Sequence, residues 1–221
     1  MTRIKVITDI LESNARIAKQ NAEIFDEVGL YVINLMGSPG AGKTSLLEWT
    51  IEALSEHLRI GVIEGDIQSS IDAERISRLG IRTVQINTGG ACHLDGNMIR
   101  PALDDLNLKE LDLLIVENVG NLVCPAEFQL GEDAKVMLLS VTEGDDKPQK
   151  YPLMFQQSAV LLINKVDLLP YVDCSVNVIE EGSRALNTAI EVFPISCKTR
   201  EGLEAWSAWL KKHVGEKRGG G

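Results

Sequence analysis

The stretch GSPGAGKT, Gly37 to Thr44, restricts the possible folds of this chain more than any other. It fits G-x-x-x-x-G-K-[ST] and lies between the apolar run LYVINLM and the helix-like TSLLEWTIEALSEHL, the strand-then-helix setting in which that spacing builds a phosphate loop. Gly37, Ser38, Pro39, Gly40, Ala41 and Gly42 carry so little side chain that the backbone can wrap a phosphate chain. Lys43 then meets the β and γ phosphates, the Thr44 hydroxyl completes a Mg²⁺ shell, and Ser45 continues the first helical turn beneath them. Around this loop, short β-rich runs (RIGVIEG, IRTVQIN, LDLLIVEN, KVMLLSVT, AVLLINK, IEVFPIS) alternate with helical stretches. That alternation predicts a three-layer α/β/α P-loop NTPase fold with a mostly parallel central sheet.

Three segments follow from the same reading. Residues 1–28 form an N-terminal helix packing on the core, its periodic apolar residues running from Asp9 to about Phe25, with Asp9 and Glu12 at capping-box spacing. Residues 29–215 form the nucleotide-binding domain with inserted loops. Residues 216–221, EKRGGG, have little to pack and are expected to be a disordered tail.

The motif NKVD, Asn164 to Asp167, follows the apolar run AVLLI. Asp167 can accept two hydrogens from the edge of guanine, whereas adenine would set a ring lone pair against that carboxylate, a mispairing that costs about 1–3 kcal/mol per buried group. Lys165 can lie along the base plane, and Asn164 can tie this loop to the phosphate loop. Together with the later Ser196, Cys197 and Lys198 after IEVFPI, the order of motifs predicts GTP and GDP as ligands. Between the two motifs lie the candidates for sensing the γ phosphate and holding magnesium: Asp66 at the end of RIGVIEG, Asp72 before AERISRL, and Glu117 and Gly120 in ENVGN. Glu117 stands where many GTPases have Asp, and Asp72 reads equally well as an ordinary helix N-cap. Which of the three carboxylates positions water stays open. Asn121 follows Gly120 where a water-orienting Gln would stand, so slow intrinsic hydrolysis is expected.

A formal charge of −10 and the lack of a basic stripe argue against nucleic acid as a partner. The longest apolar runs are too short for a bilayer, and the expected location is the cytoplasm. In that reducing setting the four cysteines read as thiols or ligands. Cys92 and His93 adjoin in TGGACHLDGNM, and Cys124 lies seven residues after Glu117, on the loop expected to respond to the γ phosphate. Thiolate and imidazole suit nickel or zinc better than magnesium. Cys92 and His93 can share one ion only if the chain turns there, as Gly89 and Gly90 would permit; otherwise they serve two ions or reach across an interface. The plain alternative is a structural Cys beside a surface His. The acidic run EGDD, Glu143 to Asp146, reads as a solvated loop.

The ordered motifs GSPGAGKTS, NTGGACHLDG, IVENVGNLVCPAEFQLGE, TEGDDKPQKYP and NKVDLLP resemble the hydrogenase nickel-incorporation GTPase family, HypB, over nearly the whole chain. The resemblance implies a SIMIBI-class GTPase, related to the urease accessory and signal-recognition GTPases, that forms a homodimer promoted by GTP or metal. It implies delivery of nickel to the large subunit of [NiFe]-hydrogenase, with a HypA-type accessory protein and a SlyD-type chaperone as partners. Cys92, His93 and Cys124 match the family's metal site, with Gly37 to Thr44, Glu117 to Gly120 and Asn164 to Asp167 matching its nucleotide site. The alternatives are a GTPase chaperone for another metalloenzyme, of urease or cobalamin-enzyme type, and a nucleotide-stabilised metal-binding dimer without significant turnover. The Cys-rich N-terminal motif and His-rich store of some members have no counterpart among these residues, so bulk nickel storage is not expected.

Overall fold

Seven strands make one sheet in the computed structural model, which describes residues 2–66 and 75–219, the side chains of 2–9 and 66 excepted. They are β1 (Tyr31–Gly37), β2 (Ile60–Asp66), β3 (Arg82–Asn87), β4 (Leu113–Glu117), β5 (Ala134–Ser140), β6 (Val160–Asn164) and β7 (Glu191–Pro194). Their order is β3-β2-β4-β1-β5-β6-β7, with every neighbouring pair parallel. Strands β1, β4, β5 and β6 are buried at every position, which is why they read as continuous apolar runs. The two edge strands, β3 and β7, are partly exposed.

Side chains of β1 alternate between two cores. Ile33 and Leu35 face α2 (Lys43–Leu54) and the last helix, α8 (Leu203–Gly219), joining Leu47, Ile51 and Trp206. Val32 and Met36 face the other side. There Val32 meets Phe25 of α1 (Thr2–Val28) and Ile99 of α3 (Gly96–Ala102). Met36 meets Phe155 of α6 (Pro152–Gln157) and Ile179 of α7 (Val176–Leu186). The short helices α4 (Cys124–Glu127) and α5 (Lys147–Lys150) lie in the loops after β4 and β5.

The helix expected over residues 1–28 is α1, and two details at the chain ends differ from expectation. Helix α1 begins at Thr2, so Asp9 lies inside it and is no cap; residues 2–8 contain no glycine or proline to delay the helix. Residues 216–219, expected to be disordered, continue α8. Lys217 pairs with Asp26 and, at 2.6 Å, with Asp133, and Arg218 reaches Asp112 at 2.6 Å. Among the described residues no helix is long and apolar enough to cross a membrane.

Candidate nucleotide and metal sites

Strand β1 is central, and the chain leaves it toward β2 on one side and reaches β5 on the other, so the loops after β1, β4 and β6 converge at the carboxyl edge. A cavity of about 570 Å³ opens there, lined by the phosphate loop, Thr44, Ser45, Glu64, Arg75, Lys165 and the segment Glu117 to Gly120. Its floor suits phosphate. The Lys43 ammonium, on a residue only 8% exposed, donates to the carbonyls of Gly37 and Ser38 at 3.4 Å each. The Thr44 hydroxyl donates to Glu117 Oε1 at 3.3 Å, setting two hard oxygen donors side by side as a magnesium ion requires.

The glycines are there for space. Gly42 has φ 103°, and a Cβ on it would stand 2.5 Å from Asn164 Nδ2; one on Gly120 would stand 2.9 Å from Pro39 Cγ. Gly42→Ala is therefore expected to strain the loop by about 1–2 kcal/mol from the left-handed backbone alone, before the clash. Because the free loop relieves this strain by leaving the conformation that wraps phosphate, GDP binding is expected to weaken by about tenfold. Isothermal titration with GDP checks this, and an unchanged affinity would contradict it.

A second hollow of about 310 Å³ shares Gly42, Ser45 and Lys165 with the first and adds Asn164, Asp167, Leu168, Cys197 and Lys198. Its walls are tied to one another. Asn164 Nδ2 donates to the Ala41 carbonyl at 2.9 Å, while its Oδ1 accepts from the N–H of Lys165 and of Cys197. The Ser196 hydroxyl donates to Asp167 Oδ1 at 2.6 Å, fixing that carboxylate's orientation. Lys165 adopts φ 63°, unusual for a residue with a side chain, and its ammonium donates to the Gly40 carbonyl at 2.7 Å. Burial pushes the Cys197 thiol up to about 11, so it stays neutral beside the base hollow.

The chain does turn at TGGACH. Gly89 and Gly90 have φ of 61° and 98°, the Ala91 N–H closes onto Thr88 O, and the turn lets Cys92 and His93 face one point. Donor atoms of Cys92, His93 and Cys124 lie within 4.8 Å of one another. The two sulfurs are 2.9 Å apart, and Cys92 Sγ is 3.5 Å from His93 Nδ1. Two thiolates about 2.3 Å from one tetrahedral ion stand roughly 3.8 Å apart, so the pair must open a little to admit it. The hydrogen bond with Cys92, together with burial, holds the Cys124 thiol above its ordinary pKa, and burial lowers that of His93, leaving a neutral imidazole. Phe128 stacks on that ring, centroids 3.9 Å apart and planes 29° apart.

Of the other predicted residues, Asp72 lies outside the described residues; Asp66 ends β2, its side chain likewise outside. Asn121 does not line the phosphate-loop cavity: its side chain donates to the Cys92 carbonyl at 3.2 Å and accepts from the Val123 N–H at 2.8 Å. The run EGDD is more than a solvated loop. Glu143 caps the turn at Ser140 and accepts the Ser38 hydroxyl of the phosphate loop. The spacing Ser140 to Glu143 carried the capping signal, whereas nothing in the sequence pairs Glu143 with Ser38. Glu64, which sequence reasoning also missed, lines the phosphate cavity in register with Glu117 on the next strand.

A family model described as the CobW/HypB/UreG nucleotide-binding domain matches residues 31–194, from β1 through β7. The hydrogenase maturation factor HypB of Azotobacter vinelandii is 49% identical over 212 residues, 96% of this chain and 70% of that protein. This chain belongs to the HypB family of hydrogenase maturation factors. A solved HypB, from Helicobacter pylori in complex with nickel, is similar at TM-score 0.88 and 38% identity, covering 93% of this chain and 97% of that one. The signal recognition particle receptor FtsY of Elizabethkingia anophelis, 16% identical, shares the fold at TM-score 0.51 over 87% of this chain and 73% of its own. The architecture is thus the three-layer P-loop fold with a parallel central sheet that the sequence predicted.

Proposed function

We propose that the chain is a GTP-hydrolysing metallochaperone that takes up nickel, with zinc as the competing ion, and delivers nickel during [NiFe]-hydrogenase maturation. One observation carries this reading: two sulfurs and an imidazole converge within 4.8 Å, one of them on the segment that leaves the nucleotide cavity. Three borderline-soft donors leave coordination positions open, as suits an ion that is passed on rather than kept. The nickel complex of the Helicobacter pylori relative supports nickel as cargo.

In the nucleotide site, Lys43 supplies the positive charge for the β and γ phosphates, and Asp167, oriented by Ser196, reads the guanine edge. Thr44 and Glu117 would hold the magnesium ion that accompanies GTP, whose chemistry is to neutralise phosphate charge. With Asn121 turned toward Cys92, its amide does not orient the attacking water, in keeping with slow turnover. The thiols need a reducing compartment, the cytoplasm. The partners this reading calls for are a second copy of the chain, a HypA-type accessory protein, a SlyD-type chaperone and the hydrogenase large subunit.

Two measurements on the purified protein test the reading: multiple-turnover phosphate release from GTP against ATP, and equilibrium dialysis of nickel. GTP is expected to be preferred, and nickel to bind stoichiometrically; no turnover above background would leave only a nucleotide-stabilised metal-binding protein. Asp167→Asn is expected to weaken GTP binding by about 10–100-fold, because the carboxylate that accepts both guanine donors is gone. The same substitution favours xanthine, whose 2-oxo group accepts from the new amide. Competition between GTP and XTP reads the exchange, and an unaltered preference would remove Asp167 from base recognition.

A further inference from the structure

A buried polar chain joins the nucleotide cavity to both halves of the metal centre. Asn118 lines the cavity and is 1% exposed. Its side-chain oxygen accepts from the Leu94 N–H at 2.9 Å and from the Val119 N–H at 3.0 Å, and Leu94 directly follows His93. Its amide donates to Oδ1 of Asn34 at 3.0 Å. Asn34, fully buried mid-way along β1, donates in turn to Glu132 Oε1 at 3.4 Å.

Glu132 faces the Lys135 ammonium at 3.8 Å and accepts the N–H groups of Leu130 and Gly131 through its other oxygen. Lys135, only 7% exposed, donates to the carbonyls of Pro125, Ala126 and Phe128 at 2.8–3.0 Å. Those carbonyls end the helix that begins on Cys124, and Phe128 is the residue stacked on His93. An asparagine in β1 and a lysine in β5 contribute nothing to the sheet that an apolar residue would not. Their partners explain them.

We propose that Asn34, Asn118, Glu132 and Lys135 are positioning residues forming one relay, through which the occupant of the phosphate cavity sets the metal affinity of the Cys92, His93 and Cys124 centre. The proposal rests on reading that centre as a metal site. Because each buried amide in the relay is satisfied by the next, a displacement of Asn118 would strand the Leu94 N–H or the Asn34 oxygen unless they move with it. One end of the relay therefore carries the His93 segment and the other carries the Cys124 helix. Metal and nucleotide affinities are then linked reciprocally.

The test is the nickel dissociation constant, by competition with a chromophoric chelator, in GDP and in a non-hydrolysable GTP analogue. Full-length wild type, Asn34→Val and Glu132→Gln are compared; the second variant is isosteric and retains an acceptor for the Leu130 and Gly131 N–H groups should the first fold poorly. The wild-type ratio between the two nucleotide states is expected to be about fivefold or more, falling toward one in both variants with GDP affinity unchanged. A packing defect alone would lower both nickel affinities and leave their ratio intact. A ratio retained in both folded variants overturns the relay and leaves Asn121 as the link. A wild-type ratio of one, with nickel bound in both states, overturns the relay but keeps the metal site, whereas no nickel binding removes both.

Discussion

Lys43→Met is expected to lower GTP hydrolysis by about 10²–10³-fold, the usual consequence of removing one preorganised charge from a transition state. The size follows from where the ammonium sits. It lies at the first residue of α2, almost buried, and its contacts include two of 3.4 Å to loop carbonyls. These are long for N–H···O bonds, so phosphate oxygens can take their place at little cost. Charge on the phosphoryl oxygens shifts during transfer, and the ammonium's contribution to turnover therefore exceeds its contribution to holding GDP. Methionine keeps the stem's length and buried volume, so α2 and the sheet should survive. Phosphate release at saturating GTP, beside a thermal melt, reads both. Turnover within threefold of wild type in a folded variant would mean that the GSPGAGKT loop does not carry the chemistry.

The parts of the molecule that could be read from sequence are those whose causes are local. The phosphate loop shows itself because its glycines, lysine and threonine act within eight residues of one another, and the central strands show themselves because burial on both faces makes them apolar throughout. NKVD and the later Ser196 could be paired because a base loop needs both. What stayed hidden has its cause at long range. Nothing in EKRGGG reveals that Lys217 finds Asp26 and Asp133, and nothing in EGDD reveals that Glu143 accepts the Ser38 hydroxyl from 105 positions away. The proposed metal centre falls between these cases: residue chemistry nominated Cys92, His93 and Cys124, but their convergence needed the turn at Gly89 and Gly90 and the helix held by Lys135. Asn34 is the one polar side chain of LYVINLM apart from the Tyr31 hydroxyl, and it was not singled out. Its meaning depends on Asn118 and Glu132, which only the sheet brings to it.

The double substitution Cys92→Ala with Cys124→Ala is expected to weaken nickel and zinc binding by on the order of 10³-fold or more while leaving GDP affinity within about twofold, since ligand bonds account for most of the free energy of such sites. Two of three donors disappear, and the remaining imidazole of His93, stacked on Phe128, offers a single bond without the chelate that the two thiolates completed. The fold should tolerate the change. Cys92 is exposed, Cys124 is half-buried at the start of a four-residue helix, and the two thiols are unbridged, so no disulfide or large core contact is lost. Neither sulfur lines the phosphate cavity or the base hollow, which separates the expected losses cleanly. Equilibrium dialysis with each metal, beside calorimetry with GDP, measures both quantities on one preparation. Nickel affinity within tenfold of wild type would sink the assignment of this centre. A parallel loss of GDP affinity would instead show that the substitutions act through the loop's structure, because Asn121 joins the Cys92 carbonyl to Gly37 at the mouth of the phosphate loop.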